Sequence, residues 1–229
     1  MKTIGILGGM SAASTQVYYR ELCALTQTKL GGLHSPELLI RSLDFAPIAD
    51  LQAQRDWPAA GRILNTEALK LQDAGAEVLI LATNTMHKLS DEMLTDVSIP
   101  FLHIADATAQ AIAAQGLSSP GLMATKFTME QSFYTDRLRA AGLTPIIPND
   151  ADRTETHDII YNELCKAVLR PESEAAYVAI AERLAEQGAD SLILGCTEVG
   201  LLLKESNVKV PVFDTTLIHC RAALDLALA

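Results

Sequence analysis

The sequence lacks the features that mark secreted, membrane-spanning and nucleic-acid-binding proteins. Its four cysteines are widely separated and form no CxxC pair, so we expect reduced thiols. No apolar run approaches the roughly 18 residues that cross a bilayer, and the N-terminal residues do not resemble an export signal, so we expect a cytoplasmic protein. Only 18 Lys and Arg stand against 28 Asp and Glu, and the net charge of −10 opposes binding to nucleic acid and to anionic membranes.

Motifs for nucleotide and metal chemistry are missing as well. The glycines of Gly5–Gly9 do not have the spacing of a dinucleotide fingerprint, and no lysine completes a P-loop. The five histidines form neither an HExxH pair nor a Cys/His cluster, and we interpret them as solvated or core residues. The residues therefore give no support to a nicotinamide, ATP or metal site.

What the chain does have is an alternation of short apolar runs with longer segments of helical period. This alternation is typical of an α/β protein in which helices cover parallel strands. The predicted strands are Thr3–Leu7, Glu37–Ser42, Val78–Leu81, Phe101–His103, Gly121–Met123, Thr144–Ile147, Ser191–Leu194 and Val212–Phe213. The predicted helices are Thr15–Thr28, Trp57–Asp73, Ala105–Gln115, Met129–Ala140, Glu155–Leu169, Glu172–Gln187 and Leu217–Leu228.

The same plan occurs twice along the chain. Residues 74–85 and 187–198 share one order of features: a Gly-Ala pair, an acidic residue, an apolar strand and then polar side chains. Other features of the sequence also occur in both copies, at nearly the same separation along the chain as these two segments. Any two strand-helix-strand units share part of this likeness, but the polar ends do not follow from it. We predict two similar doubly wound parallel-sheet halves related by pseudo-twofold symmetry, residues 1–100 with 211–229 and residues 101–210.

Both copies end their strand in polar residues, Thr83-Asn84-Thr85 in the first and Cys196-Thr197-Glu198 in the second. Ligands of open parallel sheets bind beyond the carboxyl ends of the strands, so both triplets indicate a ligand-binding edge. Halves that face each other would place Thr83 and Cys196 on opposite walls of one cleft, where we expect the active site. Cys196 alone among the cysteines follows a predicted strand, which leaves two interpretations: a catalytic thiol or a small buried apolar residue.

Charged ligands have candidate contacts outside the two triplets. The loop Gly8–Ser11 joins a strand to a helix, where free N–H groups and the helix dipole favour a carboxylate or phosphate. Lys166 is a cation in an otherwise apolar helix pattern, either a solvated residue or a counter-charge for an acidic substrate. His87, four residues after Thr83, either lines the cleft or belongs to the core.

Three motifs together resemble those of the aspartate/glutamate racemase superfamily, in particular its aspartate or broad-specificity amino-acid racemase branch. They are Gly-Gly-Met-Ser at residues 8–11, Thr-Asn-Thr-Met-His at residues 83–87 and Leu-Gly-Cys-Thr-Glu at residues 194–198. The resemblance spans nearly the whole chain. Glu198 replaces the histidine of cell-wall glutamate racemases, and Ala12-Ala13 replaces a Trp-Glu pair that many relatives have.

The resemblance implies racemisation without cofactor or metal, by two residues that exchange the α-proton on opposite faces of the substrate. Both are usually cysteines; here Cys196 is the second, and Thr83 replaces the first. A threonine hydroxyl is far less acidic than a thiol, so we expect slow turnover that differs between the enantiomers. The implied substrate is aspartate, or else glutamate, and the implied assembly is a homodimer. The implied substrate-binding residues are Met10, Ser11, Gln52, Asn84, Thr85, Thr125, Lys166, Thr197 and Glu198.

Two other functions stay open at this point. The superfamily includes decarboxylases that have the second cysteine alone, in which Cys196 would protonate an enediolate. Such a reaction needs an apolar pocket, whereas Ser11 and residues 84–85 are polar. A non-catalytic protein that binds an acidic amino acid would need no thiol at all. Replacement of Cys196 by Ser separates these alternatives, because it removes proton transfer and leaves binding intact.

Overall fold

A computed structural model describes residues 1–166, 168–196 and 199–229 of the chain, apart from the side chain of Leu201. The described residues form two parallel sheets, of four and three strands, and helices pack on both. The alternating pattern of the sequence therefore folds as an α/β protein with two parallel sheets, and this prediction is confirmed. No helix among the described residues is long and apolar enough to span a membrane.

The chain separates into two compact units, Met1–His103 with His219–Ala229 and Ile104–Ile218. The sequence assigned residues 211–229 to the first half. In the structure the strand Val212–Asp214 pairs with the central strand of the second sheet, and this pairing carries the segment into the second unit.

The sheet of the first unit has four parallel strands: β1 (Ile4–Gly8), β2 (Leu38–Ser42), β3 (Val78–Leu81) and β4 (Phe101–Leu102). Their order across the sheet is β2-β1-β3-β4, and the central strands β1 and β3 are completely buried. Leu7 and Leu81 pack into one core cluster, and Ile6 and Ile80 pack into another. Because successive side chains of a strand point to opposite faces, both faces of this sheet are covered, which explains the continuous apolar runs.

The sheet of the second unit consists of β5 (Pro120–Ala124), β6 (Ser191–Gly195) and β7 (Val212–Asp214), parallel and in that order. The predicted strand Thr144–Ile147 is wrong, since a single bridge joins Ile146 to Gly121. The N–H groups of Thr144 and Ile146 donate to the carbonyls of Ser118 and Pro120 at 2.7 and 2.8 Å. Pro148, the next residue on that side, has no N–H group, so the pairing does not continue.

The described α-helices are α1 (Ala12–Leu30), α2 (Phe45–Gln54), α3 (Trp57–Asp73), α4 (Ser90–Met93), α5 (Ile104–Ala113), α6 (Lys126–Glu130), α7 (Ser132–Ala140), α8 (Asp150–Asn162), α9 (Pro171–Glu186) and α10 (Thr215–Leu228). Short 3₁₀ helices lie at Thr85–Leu89, Leu164–Lys166 and Val199–Leu201. The sequence did not predict α2, although its signals are present. Asp44 caps this helix by accepting the N–H of Ala46 at 3.2 Å, and Pro47 lies in its first turn.

Two predicted helices have different bounds in the structure. The segment predicted as the helix Met129–Ala140 belongs to α6 and α7, which meet at the extended residue Gln131 (φ −95°, ψ 142°). The predicted helix Glu155–Leu169 begins earlier, because the side chain of Asn149 caps the first turn of α8, and it ends at Asn162.

One interaction is common to both units and involves the acidic residue of the repeated segment. Before β3, Glu77 accepts the N–H of Thr3 at 2.8 Å; before β6, Asp190 accepts the N–H groups of Ser118 and Ser119 at 2.7 and 2.9 Å. Each acid therefore ties a central strand to the start of its neighbour. Burial alone would raise the pKa of Asp190, but its N–H donors outweigh burial and the pKa is lowered.

Candidate active site

The first strand leads into the glycine loop that the sequence singled out. Gly9 has a φ of +89°, and a Cβ at this position would lie 2.2 Å from the main-chain N and O of Leu43. The N–H of Gly9 donates to Oγ1 of Thr15 at 2.8 Å, and the N–H of Leu43 donates to the carbonyl of Gly8 at 3.0 Å. The close approach of the chain after β2 therefore requires glycine here and holds the loop in one shape.

The next two residues place their side chains differently. Met10 is 6 % exposed and packs into a core cluster, which leaves its main chain to contact a ligand. Ser11 caps α1, and its Oγ accepts the N–H of Ser14 at 3.2 Å. The helix begins with Ala12 and Ala13 and has no acidic residue in its first turn, so no carboxylate there neutralises its positive end. This geometry suits a bound carboxylate.

Beyond β3 the chain turns at Thr83, a half-buried residue. The N–H of Thr83 donates to the carbonyl of Leu81 at 2.9 Å, and its own carbonyl accepts from Nδ1 of His87 at 2.7 Å. Asn84 and Thr85 follow as buried residues, and Thr85 begins a 3₁₀ helix. The three polar residues that the sequence picked out therefore lie together at the carboxyl end of β3.

Two side-chain hydrogen bonds connect α1 and α2 to the end of β3 and the 3₁₀ helix after it. Oγ of Ser14 donates to the carbonyl of Ala82 at 3.0 Å. Gln52 is buried on α2, and its Nε2 donates to Sδ of Met86 at 2.8 Å. One edge of the first sheet therefore carries six of the residues that the sequence predicted for the site: Met10, Ser11, Gln52, Thr83, Asn84 and Thr85.

In the second unit the thiol of Cys196 follows β6. Cys196 is half-buried and packs against a core cluster of this unit, and its carbonyl accepts the N–H of Val199 at 3.1 Å. The preceding Gly195 pairs in register with Ala124, and a Cβ on Gly195 would lie 2.7 Å from the Cβ of Ala124. Glycine is therefore needed directly before the thiol, where the two strands come close.

Thr125 occupies the corresponding place beyond β5, next to the strand that leads to Cys196. It is buried and caps α6, since its Oγ1 accepts the N–H of Thr128 at 3.4 Å and lies 3.2 Å from the hydroxyl of Thr128. The helix begins earlier than the predicted Met129, with Thr125 as its cap. Thr197 and Glu198 lie outside the described residues.

Lys166 is exposed at the end of a 3₁₀ helix and does not lie in a long helix as predicted. Its neighbours Leu164 and Cys165 pack in the core cluster that Cys196 also contacts. The structure therefore places this segment, though not the ammonium group itself, beside the same cluster as the thiol.

Three histidines, which the sequence interpreted as solvated or core residues, form a buried cluster in the first unit. The ring centroid of His87 lies 4.5 Å from that of His103 and 5.8 Å from that of His219. Burial lowers the pKa of His219 to about 4, so this ring is neutral at pH 7. The three residues are far apart in sequence, and no spacing could have revealed the cluster. Among the described residues, no group of three or more His, Cys, Asp or Glu is arranged to hold a metal ion.

His157, in the second unit, is a further histidine that the sequence did not place at the site. Its Nδ1 accepts the N–H of Lys126 at 3.3 Å, at the start of the helix that Thr125 caps, and its ring centroid lies 4.7 Å from that of Tyr161. Burial lowers the pKa of His157, and the opposing effect of Asp158 does not reverse this. A neutral imidazole therefore lies close to the carboxyl end of β5.

Comparison with known proteins agrees with the motifs. The family model for Asp/Glu/hydantoin racemases matches residues 7–223. The chain is 24 % identical over 233 residues to the broad-specificity amino-acid racemase RacX of Bacillus subtilis (strain 168). This alignment covers 99 % of this chain and 98 % of that protein.

Two crystal structures are similar to the chain, each over 100 % of both chains. One is from Yersinia pestis and is proposed to be an Asp/Glu racemase, with 46 % identity and a TM-score of 0.94. The other is an aspartate racemase homologue from Pyrococcus horikoshii OT3, with 35 % identity and a TM-score of 0.87. These matches confirm the resemblance that the three motifs indicated, and the chain belongs to the Asp/Glu/hydantoin racemase family, a family of isomerases.

Proposed function

We propose that this protein is a racemase of acidic amino acids, aspartate first and glutamate second, that works without a cofactor. The observation that carries the proposal is the half-buried thiol of Cys196 at the carboxyl end of β6, in a chain of the racemase family. The names of the relatives, a broad-specificity amino-acid racemase and an aspartate racemase homologue, support an amino-acid substrate.

In the proposed mechanism, the thiolate of Cys196 removes the α-proton of the substrate. The electron pair left on the α-carbon is delocalised into the adjacent carboxylate, and a proton returns to the opposite face from the side of Thr83. A thiol ionises near pH 8.5, so a thiolate is accessible near neutral pH, whereas a hydroxyl is not ionised there. The hydroxyl of Thr83 therefore donates its proton to the α-carbon while a water molecule reprotonates it, and the hydroxide that remains is neutralised by the proton that Cys196 took from the substrate.

The two enantiomers meet bases of unequal strength in this mechanism. One loses its α-proton to the thiolate of Cys196, and the other loses it on the side of Thr83, where the base is weaker. Since two enantiomers have equal free energies in water, kcat/KM must be the same in both directions. The unequal strength of the two bases therefore makes kcat and KM, taken individually, differ between the enantiomers. It also makes the ratio of α-proton exchange to inversion differ between them.

We also propose binding roles for the residues that the family resemblance implied. We assign one carboxylate of the substrate to the N-terminus of α1, with the main chain of Met10 and with Ser11, because the first turn of this helix contains no acidic residue. We assign the distal carboxylate to the amide of Gln52 and the ammonium of Lys166. The remaining polar contacts are assigned to Asn84, Thr85, Thr125, Thr197 and Glu198.

Decarboxylation by Cys196 alone fits these surroundings less well. Loss of carbon dioxide is promoted by apolar surroundings of the departing carboxylate, because they destabilise its charge. The strand ends instead present hydroxyl and amide groups, at Ser11, Asn84, Thr85 and Thr125. Polar groups of this kind suit a carboxylate that stays bound throughout the reaction.

The family resemblance also leads us to propose a homodimer. Light scattering on the purified protein would then report about twice the 24.6 kDa of one chain. A mass equal to one chain at micromolar concentration would contradict this proposal.

A turnover screen tests the proposed activity. The purified protein, with no added cofactor, is incubated separately with each enantiomer of aspartate and glutamate, and chiral chromatography follows the opposite enantiomer. We expect slow inversion of aspartate and slower inversion of glutamate, each ending in equal amounts of both enantiomers. Release of carbon dioxide from an aryl-substituted malonate without any inversion would instead support the decarboxylase. Saturable binding of aspartate without turnover would support the binding protein.

A further inference from the structure

Hydrogen bonds hold Thr83 at both of its main-chain polar groups. Its N–H donates to the carbonyl of Leu81 at 2.9 Å, and its carbonyl accepts from Nδ1 of His87 at 2.7 Å. The first bond is part of a local turn, whereas the second depends on a side chain. The main-chain conformation of Thr83, and with it the direction of its Cα–Cβ bond, is therefore set in part by an imidazole.

The ring of His87 has little freedom to move. It is 1 % exposed, and the N–H of His87 donates to the carbonyl of Asn84 at 3.2 Å at the start of the 3₁₀ helix. The ring centroid of His103 lies 4.5 Å away, and that of Phe101 lies 5.6 Å away. Packing against these two rings fixes the direction in which Nδ1 points.

A third ring, that of His219, packs at 5.8 Å from His87 and is itself held at both nitrogens. A carbonyl can only accept a hydrogen bond, so Nε2 of His219 donates to the carbonyl of Leu102 at 2.9 Å. Because the buried ring is neutral, its Nδ1 accepts from the hydroxyl of Tyr18 at 2.8 Å. By the same rule, Nδ1 of His87 carries the proton that the carbonyl of Thr83 accepts.

We propose that His87 is a positioning residue for proton transfer at Thr83: its Nδ1–H···O=C hydrogen bond fixes where the hydroxyl of Thr83 stands relative to the α-carbon of the substrate. The inference rests on the racemase function proposed above. His87 exchanges no proton with the substrate and acts through the main chain. Misplacement of a reacting group by about 1 Å costs on the order of 100-fold in rate, so loss of this bond affects turnover more than binding.

Two conservative replacements separate this role from a catalytic one. The side-chain amide of Asn places an N–H group near the position of Nδ1, whereas that of Gln places it near Nε2. His87→Asn therefore keeps the bond to Thr83, and His87→Gln removes it at similar polarity. His34 is exposed in the loop after α1, and His34→Asn controls for the loss of a histidine as such.

The test compares aspartate racemisation by the wild type and the three variants over a range of pH. We expect His87→Gln to lower kcat about 100-fold with KM within about twofold of the wild type. His87→Asn should restore kcat to within about fivefold of the wild type, with an unchanged pH profile, because the bond survives and no titrating ring is needed. Nitrogen-15 NMR of the wild-type ring, which is independent of activity, should show the proton of His87 on Nδ1.

Several outcomes would overturn the proposal. They are wild-type kcat in His87→Gln, a kcat in His87→Asn as low as in His87→Gln, and a wild-type ring whose proton is on Nε2 alone. If His87→Gln does not fold, the test depends on His87→Asn. Retained turnover in His87→Asn then supports the proposal, and loss of turnover in this variant overturns the proposal. Wild-type protein that inverts no acidic amino acid would overturn the racemase function itself, whereas failure of the variants alone would overturn only the role of His87.

Discussion

The two units end their central strands differently although they are built on the same plan. In both, an acidic residue before the strand, Glu77 or Asp190, accepts main-chain N–H groups from the start of the neighbouring strand. Beyond β3 stands the hydroxyl of Thr83, and beyond β6 stands the thiol of Cys196. The scaffold is therefore repeated and the reactive group is not, so the repeat determines where chemistry can occur and single side chains determine which chemistry it is.

The surroundings of the two strand ends differ as well. The main chain of Thr83 is held by His87 within a cluster of buried rings. The segment near Cys196 instead includes the exposed cation Lys166, and a half-buried imidazole, His157, lies at the end of the adjacent strand β5. The first end thus carries a hydroxyl beside buried rings, while the second carries a thiol, the more acidic of the two groups.

Replacement of Cys196 by Ser should have the largest effect, because it removes the stronger of the two bases. We expect α-proton exchange of aspartate to fall about 1000-fold, with its binding by calorimetry within about twofold of the wild type. Cys23→Ser, at a half-buried thiol on α1, is the matched control and should retain activity. Exchange at the wild-type rate in Cys196→Ser would contradict the account.

The buried imidazole of His219 should make the stability of the first unit depend on pH. Burial lowers the pKa of His219 to about 4 in the folded protein, below its ordinary value, so the unfolded chain binds this proton more readily. The corresponding stability, about 3 kcal/mol, is fully present above about pH 6.5 and is lost as the pH falls towards 4.

Two glutamine variants measure this contribution by urea unfolding between pH 7 and pH 4. His219→Gln keeps an N–H donor for Leu102 and should flatten the fall in the free energy of unfolding. His157→Gln, at the half-buried ring of the second unit, should flatten it less. Equal slopes in the wild type and His219→Gln would show that this ring does not carry the effect.

Replacement of Thr83 by Cys should make the two strand ends alike. A thiol ionises far more readily than a hydroxyl, so we expect the rate of inversion of aspartate to rise about tenfold. Thr83→Ala is the matched control, since it removes the hydroxyl and adds no thiol, and it should slow inversion. An inversion rate in Thr83→Cys no higher than in Thr83→Ala would contradict the assignment of Thr83 to proton transfer.

The smallest effect should come from the repeated acidic residues. Asp190→Asn should lower the free energy of unfolding by about 1 kcal/mol, because a charged acceptor of two N–H groups becomes a neutral one. Glu77→Gln should lower it less, since Glu77 is exposed and accepts one of these bonds, from Thr3. Thermal unfolding of both variants checks the order, and a larger loss in Glu77→Gln would contradict it.

Much of the fold follows from the sequence, because the buried strands β1, β3, β5 and β6 are continuous apolar runs bounded by glycines and polar residues. The predictions of secondary structure were wrong where a proline lies in or next to an otherwise regular segment. The predicted strand Thr144–Ile147 is followed by Pro148, which has no N–H group to continue the pairing, so a single bridge is left. Helix α2 was missed because its first turn contains Pro47, which a helix tolerates only near its N-terminus.

The candidate site was predictable to the extent that it lies at strand ends. Thr83 and Cys196 could be placed from the apolar runs before them. The cluster of His87, His103 and His219 could not, because it depends on tertiary packing that no sequence spacing encodes. The burial of the Met10 side chain was missed for the same reason.

The central claim is that Cys196 is a strong base and that the base on the side of Thr83 is weak. It is tested most directly by proton NMR in deuterated water, with L-aspartate and D-aspartate in separate samples. Chiral chromatography of the same samples gives the rate of inversion. The account predicts that one enantiomer exchanges its α-proton faster than it inverts, because the thiol of Cys196 returns solvent deuterium to the same face. The other enantiomer should exchange only as it inverts. Equal ratios of exchange to inversion for both enantiomers would contradict the claim.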